Sequence, residues 1–583
     1  MNLDNLQIAW AEVLIDTLAQ CGVRHALISP GSRSTPLTLA AARHPEIEAI
    51  PIIDERSAAF FALGLARSRG TTPLLVCTSG TAAAHYFPAV IEADLAELPL
   101  LLLTADRPPE LQHRGAAQVI DQRHLFGRAV RVSYELGTAL DSVDAFRGLR
   151  ATAARAFART QGEPRGPVHI NAPFRKPLEP QPEQDRDVQR RTELIALSKT
   201  PVPRASHSVA LPTESAIEAF ATRLSSASRG LIVAGAALPD RAAVSAHALA
   251  TCLGWPLLAD SASQLRRPAR SSLIAFHDLL LRTRWAQRQV PDLLLVLGNE
   301  PSGIGWSRWS AARGDVERLA LGNASLPDPD NRVADWLVGE LEPTVAALLG
   351  NLQRKPHSAR PESERWTAEW DRAERTAARS TELASDPRQP LTESDAVRAV
   401  AGSIPDDHAL VLGNSLPIRS VDLFAPPTNA ALVLHQRGAN GIDGLIAAAA
   451  AAPLPATLLI GDVAFLHDLG SLATARAHAE RLTIVVLDND GGRIFDQLPI
   501  AARPELDTVF ERFFRTPPQL DVALACEAFG VACARVATLE ALQRALAEPF
   551  EAPARVIWAE VVPDSAQRTL DQRVAALDVD LDR

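Results

Sequence analysis

Two short stretches decide the reading of this chain: Ala456-Thr-Leu-Leu-Ile-Gly-Asp462, and Leu482-Thr-Ile-Val-Val-Leu-Asp488-Asn489-Asp490-Gly491-Gly492. Each is a short apolar run that ends in a polar, glycine-containing cluster, and a helical segment separates them. Runs of this kind are buried strands, and in doubly wound sheets ligands bind at the strands' carboxyl ends. Asp462 and Asn489 stand 27 residues apart, the separation a helix and a strand need to return to the same sheet edge. A carboxylate, an amide oxygen and the backbone carbonyl of Gly491 are hard oxygen ligands suited to Mg²⁺ carrying a diphosphate. The backbone amides of the glycine-rich turns suit the phosphate oxygens.

Outward from this pair, the same alternation of apolar runs and helical segments recurs. Strands are expected in a first domain at His25–Ile28, Ala49–Ile53, Leu74–Thr78 and Leu100–Thr104. A weaker repeat predicts Leu231–Ala234, Leu257–Ala259 and Leu293–Leu297, with a helix at Arg241–Cys252. The last domain adds Ala409–Leu412, Ala430–Leu434, Ala456–Ile460, Leu482–Leu487 and Arg555–Val561, after a capping box at Thr392-Glu-Ser-Asp395. The expected class is α/β, three doubly wound, mainly parallel sheets over residues 1–180, 205–350 and 391–583. The proline- and charge-rich stretch 176–204 reads as a surface linker. Residues 351–390, dense in Arg and Glu, read as a second linker whose central part is a solvated helix. Three units of similar size suggest distant copies of one architecture.

At 583 residues the chain has room for several cores, and its 47% hydrophobic and 22% charged content is that of a folded globular protein. A net charge of −10 disfavours general binding to nucleic acid or anionic lipid, so any anion must be held locally. Five scattered cysteines (Cys21, Cys77, Cys252, Cys526, Cys533) show neither a disulfide framework nor metal spacing, and a reducing cytoplasm is expected. The N-terminus reads as an amphipathic helix rather than a signal peptide. The apolar stretch Leu445–Ile460 is broken by Pro453 and Pro455 and makes a poor membrane span.

The Asp462 and Asn489 pair resembles the diphosphate-binding motif of thiamine-diphosphate enzymes, although Val463 stands where that motif usually has glycine. The resemblance implies a buried glutamate at a strand end that activates the cofactor's aminopyrimidine ring. In Ile50-Pro-Ile-Ile-Asp-Glu55-Arg-Ser57, Glu55 ends a strand and opens a helix. It is the expected catalytic residue, with the site shared between subunits of a homodimer or homotetramer.

Longer strings narrow the resemblance: Ser29-Pro-Gly-Ser-Arg33-Ser-Thr-Pro, Thr78-Ser-Gly-Thr, Thr104-Ala-Asp-Arg107-Pro-Pro, Gly413-Asn-Ser415-Leu and Gln436-Arg437-Gly-Ala-Asn-Gly-Ile442-Asp. They are similar to the 2-succinyl-5-enolpyruvyl-6-hydroxy-3-cyclohexene-1-carboxylate synthases of menaquinone biosynthesis. That family decarboxylates 2-oxoglutarate and adds the succinyl carbanion to isochorismate, using thiamine diphosphate and Mg²⁺ or Mn²⁺. Both substrates are dicarboxylates, and arginine, the bidentate carboxylate clamp, recurs in the strings. By resemblance, Glu55, Thr78, Ser79, Gly80, Asn414, Ser415, Ile442, Gly461, Asp462, Asn489 and Gly491 hold the cofactor, with Asp462, Asn489 and Gly491 on the metal and Ile442 as the wedge that bends the cofactor. Ser32, Arg33, Arg107 and Gln118 would line the isochorismate site. Ser415, Arg419 and Arg437 would hold the carboxylates of the donor and adduct, with Ile494 and Phe495 facing the donor. The family's middle-domain Lys-Arg pair is absent from Gly298–Arg308, where Arg308 is the remaining cation. The competing readings are an acetolactate-synthase-like carboligase or decarboxylase of simpler 2-oxo acids, and a non-catalytic cofactor-binding protein.

Overall fold

A computed structural model describes residues 5–182, 185–198, 200–203, 205, 208–236, 240–266, 272–323, 325, 328–354, 361–382 and 386–582. Among these, the strands form three six-stranded sheets in which every pairing is parallel. The first sheet holds β1 (His25–Ile28), β2 (Glu48–Pro51), β3 (Leu74–Cys77), β4 (Leu100–Asp106), β5 (Ser133–Glu135) and β6 (Pro167–Pro173), in the order β2-β1-β3-β4-β6-β5. The second holds β7 (Gly230–Ala234), β8 (Leu257–Ala259), β9 (Leu273–Ile274), β10 (Leu293–Leu297), β11 (Glu317–Gly322) and β12 (Val333–Val338), in the order β12-β11-β10-β7-β8-β9. The third holds β13 (Ala409–Leu412), β14 (Leu432–His435), β15 (Ala456–Gly461), β16 (Leu482–Asp488), β17 (Ala532–Val536) and β18 (Ala554–Glu560), in the order β14-β13-β15-β16-β18-β17. Most inner strands are buried along their length because helices cover both faces, which is why β3 and β10 are wholly apolar and β4 and β16 largely so.

Two compact units divide the chain. One comprises Met1–His207, Gln436–Pro453 and Asp468–Glu480; the other comprises Ser208–His435, Leu454–His467 and Arg481–Arg583. In the first unit, helix Leu6–Cys21 is buried around most of its circumference, not only on one stripe, and Trp10 meets Phe146 edge-on at 5.0 Å. Helix Leu445–Ala450, wholly buried, packs on helix Glu55–Arg69; a Cβ on Gly64 would lie 2.3 Å from the Ala448 carbonyl oxygen.

Both expected linkers are corrected. Within 176–204, Asp185–Ser198 is helical, and Leu178 and Leu194 belong to the first core. Within 351–390, Pro361–Glu382 forms a helix that is packed rather than solvated. Trp366, Trp370, Ala373 and Ala377 are buried in it, and the Trp366 indole N–H donates to the Gly230 carbonyl at 2.9 Å. In each stretch the charges outnumber a narrow apolar stripe, and that hid it. Residues 355–360 and 383–385 lie outside the described residues.

Strands β5, β6, β9, β11, β12 and β17 were not expected from the sequence. Strand β6 is the instructive one, since it is central and fully buried yet carries His169 and Asn171 and is closed by prolines. Its polar groups are satisfied inside the sheet: the Thr104 hydroxyl lies 2.8 Å from His169 Nε2 and donates to Asn171 Oδ1 at 2.9 Å. Burial lowers His169 to about 4, so the ring stays neutral there.

Candidate active site

The first sheet reverses its order between β1 and β3, and the crevice beyond such a reversal is where ligands enter. Residues 29–34 follow β1, residues 78–80 follow β3, and Asp106-Arg107 closes β4. The first two loops interlock: a Cβ on Gly31 would fall 2.2 Å from Thr78 Cβ, so glycine is required for the approach. The Arg33 amide donates to Thr78 Oγ1 at 3.3 Å, and its guanidinium to the Phe174 carbonyl at 2.8 Å. Gln118 donates to the Ser79 carbonyl at 3.0 Å and accepts from Arg107 at 3.4 Å. Gly80, at φ 92°, donates its amide to Gln122 Oε1 at 2.9 Å.

Arg33, Thr78, Ser79, Gly80, Arg107 and Gln118 are thereby gathered at one crevice, with Ser32 exposed on the β1 loop. Burial lowers Arg33, the neighbouring Arg107 charge lowers it further, and Asp106 opposes both. Among the described residues, buried Arg33 Nε, Arg107 Nη1 and Ser79 Oγ meet no hydrogen-bond partner. Two guanidiniums that repel each other and hold unused donors fit an anion with several oxygens.

Glu55 is the first residue of its helix, directly after β2, and Asp54 caps that helix by accepting the Arg56 amide at 2.8 Å. Its carboxylate is half-buried and acts on the Cys77 thiol and the Tyr86 phenol. Burial pushes the thiol up to about 12 and the phenol well above its usual range, and the Glu55 charge adds to both.

Arg437 and Ile442 lie in the same unit, on a loop held by a residue no motif announced. Glu92, 2% exposed, accepts the amides of Gly438 at 2.9 Å and Ala439 at 2.5 Å. Gln436 closes the loop by donating to the Gly444 carbonyl at 3.3 Å.

The other unit holds the remaining candidates. The third sheet reverses between β13 and β15, followed by Gly413-Asn414-Ser415 and by Asp462. A Cβ on Gly413 would meet the Leu459 carbonyl oxygen at 2.8 Å. Ser415, at φ 72°, turns the chain into helix Leu416–Phe424, where Arg419 donates back to the Ser415 carbonyl at 2.7 Å. Asp462, 2% exposed, accepts the amide of Gly491 on Oδ2 at 2.7 Å and that of Val463 on Oδ1 at 2.8 Å. The structure thus joins Gly461-Asp462 to the Asn489–Gly491 loop. Gly491, at φ 107°, has no room for a Cβ, which would lie 2.2 Å from the Arg515 carbonyl oxygen. Asn489 donates Nδ2 to buried Glu393 at 2.9 Å, and Glu393 also accepts from Ser420 at 2.7 Å. Because a carboxylate can only accept, Glu393 turns the amide oxygen of Asn489 away from itself. Ile494 and Phe495 sit on the turn Arg493–Gln497, with Phe495 39% exposed and edge-on to Phe514 at 5.8 Å.

Burial pushes Asp462 up to about 7, and the neighbouring charges of Asp488 and Asp490 add to the effect. A desolvated carboxylate among like charges, beside an oriented amide oxygen, fits a hard divalent cation. Among the described residues no group of three His, Cys, Asp or Glu suits a metal, so the fit is to an ion that takes amide and carbonyl oxygens. Gln122, Glu92 and Glu393 are the supporting residues that sequence reasoning missed. Arg308 is exposed on helix Ile304–Ala311, while nearby Glu300 pairs with Arg318 at 2.9 Å.

Residues 8–125 match the model of the thiamine pyrophosphate enzyme N-terminal TPP binding domain, and residues 426–557 match the C-terminal TPP binding domain. A protein of Sorangium cellulosum named 2-succinyl-5-enolpyruvyl-6-hydroxy-3-cyclohexene-1-carboxylate synthase is 40% identical, over 97% of this chain and 95% of its own. Namesakes in Rubrobacter xylanophilus and Geobacillus kaustophilus are each 40% identical, over 90% and 89% of both chains respectively. The crystal structure of benzoylformate decarboxylase from Polynucleobacter necessarius superposes with a TM-score of 0.70 at 19% identity, covering 95% of this chain and 98% of that one; this likeness concerns the fold.

Proposed function

Since this chain belongs to the thiamine pyrophosphate enzymes and, among them, to the 2-succinyl-5-enolpyruvyl-6-hydroxy-3-cyclohexene-1-carboxylate synthases, we propose that it joins 2-oxoglutarate to isochorismate with loss of carbon dioxide, in menaquinone biosynthesis. The observation that carries the reading is a pair of sheet reversals of opposite character: one gathers guanidiniums with unused donors, the other a buried carboxylate suited to a cation.

In this reading Asp462, the Asn489 amide oxygen and the Gly491 carbonyl hold Mg²⁺ or Mn²⁺, and with it the diphosphate, while Gly461, Asn414 and Ser415 line that end. Glu55 would hold the proton at the aminopyrimidine ring nitrogen, with Thr78, Ser79 and Gly80 as further cofactor-holding residues and Ile442 as the apolar wedge. Thiamine diphosphate, when bound, supplies the nucleophilic carbon and the electron sink that decarboxylation needs. Arg437, Arg419 and Ser415 bind the donor's carboxylates, and Ile494 and Phe495 keep water from it. Ser32, Arg33, Arg107 and Gln118 orient isochorismate through its carboxylates, so the new carbon–carbon bond forms between fixed partners. Glu55 and Asp462 of one site come from two copies of the chain, in a homodimer or homotetramer, and the enzyme works in the cytoplasm. No helix among the described residues is long and apolar enough to cross a membrane.

The test is purified protein given 2-oxoglutarate, Mg²⁺ and thiamine diphosphate, with and without isochorismate, followed by product mass. Rapid carbon dioxide release only with isochorismate, and a product carrying the four-carbon unit, is expected. Equal release without isochorismate would point instead to a decarboxylase of simpler scope.

A further inference from the structure

Helix Phe87–Leu95 carries a buried carboxylate, Glu92. Glu92 is 2% exposed and pairs at 3.5 Å with Arg67, which is half-buried on helix Glu55–Arg69 and lowered by desolvation there. A buried ion pair is seldom the most stabilising filling for such a position; apolar residues of like volume usually do as well or better. What an apolar pair cannot do is accept hydrogen bonds, and both Glu92 oxygens accept them, from the adjacent amides of Gly438 and Ala439.

The spacing is tight. A Cβ on Gly438 would stand 2.7 Å from the Glu92 carbonyl oxygen and 3.0 Å from its carboxyl carbon. The loop is therefore gripped immediately after Arg437 and four residues before Ile442. Its far end is set separately, because Gly444 at φ 59° leaves no room for a Cβ against the Phe60 ring. We propose that Glu92, with its charge balanced by Arg67, is a positioning residue that fixes the Arg437–Ile442 loop and through it aims the donor's carboxylate clamp and the cofactor wedge. This rests on the reading of Arg437 and Ile442 given above.

Three variants test it: Glu92→Gln, the charge-free pair Arg67→Leu/Glu92→Leu, and Gly438→Ala, which keeps both charged groups and crowds the loop against Glu92. Each is followed by thermal unfolding, by calorimetric titration with thiamine diphosphate and Mg²⁺, and by steady-state kinetics in 2-oxoglutarate. Removing or displacing the acceptors of the Gly438 and Ala439 amides should weaken cofactor binding and raise KM for 2-oxoglutarate by about tenfold each, with a smaller change in kcat. The double variant should regain the melting temperature lost in Glu92→Gln without regaining KM, which separates positioning from packing. Wild-type cofactor affinity and KM in Gly438→Ala, or in a folded double variant, would overturn the proposal. If wild type fails to turn over 2-oxoglutarate with isochorismate, the functional reading fails instead, and the cofactor titrations still decide the role of Glu92.

Discussion

The first and third sheets have the same strand order; numbered within each sheet it is 2-1-3-4-6-5, whereas the middle sheet runs 6-5-4-1-2-3. The agreement extends to detail. In both, a glycine after the first strand lets its loop touch the end of the third, Gly31 against Thr78 and Gly413 against Leu459. In both, the fourth strand ends in an aspartate held by the sixth: Asn171 donates to Asp106 at 3.0 Å, and Trp558 to Asp488 at 2.8 Å. What differs is charge, since Arg33 and Arg107 face one reversal while Asp462 and Asp490 face the other. In the function proposed above, one backbone plan would serve an anion in one copy and a cation in the other, and the side chains would choose. At the middle reversal, the loops after β7 and β10 bond to each other instead, with the Gly235 amide on the Asn299 carbonyl at 2.6 Å. A shared origin of all three units, expected from their similar sizes, is thus supported by strand order for two of them.

If the two outer reversals serve one cofactor, charge changes at each should fail in different ways. Glu55→Gln should leave the melting temperature and cofactor binding near wild type yet lower kcat by about 10²–10⁴-fold, the usual worth of a positioned proton-transfer group. Normal turnover in that variant would break the assignment of the first sheet. Asp462→Asn should act on binding. Losing a residue that merely supports a metal ligand costs about 10–100-fold, so losing the ligand itself should weaken Mg²⁺-dependent thiamine diphosphate binding by at least about 100-fold. Stripping the divalent ion with a chelator should release the cofactor from wild type as well, read by the same titration.

Arg107→Ala sharpens the contrast from the anion side. Charge-assisted hydrogen bonds of this kind are worth about 1.5–3 kcal/mol, so KM for isochorismate should rise by about 10–100-fold with cofactor affinity unchanged. A parallel loss of cofactor binding would mean that the first crevice does not separate substrate from cofactor.

The sequence disclosed most where physics is local. Leu293–Leu297 and Ile484–Leu487 are uninterrupted apolar runs because both of their faces are covered. The Thr392 capping box is read from neighbours and found as read, with Thr392 accepting the Asp395 amide at 3.2 Å. Legibility ends where a polar group is satisfied from afar. Gln122 holds Gly80 across 42 residues, Glu393 holds Asn489 across 96, and Glu92 holds Gly438 across 346. None carries a local pattern, so the residues that would touch ligands were legible through motifs while those that orient them were not.

The smallest expected effect concerns the middle sheet, whose role by this comparison is support. Glu374, on the packed helix Pro361–Glu382, is half-buried and accepts the amides of Ala275 at 3.0 Å and Phe276 at 3.1 Å. Burial pushes it up to about 7; the two amides and Arg266 oppose this, and Asp371 adds to it. The folded state then holds this proton more tightly than the unfolded chain, where the carboxyl titrates near 4.5. Its effect on stability is most favourable below that value and declines as pH rises toward about 7, by an amount on the order of 1–3 kcal/mol. Glu374→Gln removes the titration but keeps one acceptor for the two amides, a constant cost of about 1 kcal/mol. Urea unfolding from pH 4.5 to 8 should therefore show a curve lower at acid pH but flatter across that window, with kcat/KM for both substrates within about twofold of wild type. An unchanged slope would remove Glu374 as its source, whereas a large loss of turnover at full folding would give the middle sheet a part in catalysis that its reversal point does not suggest.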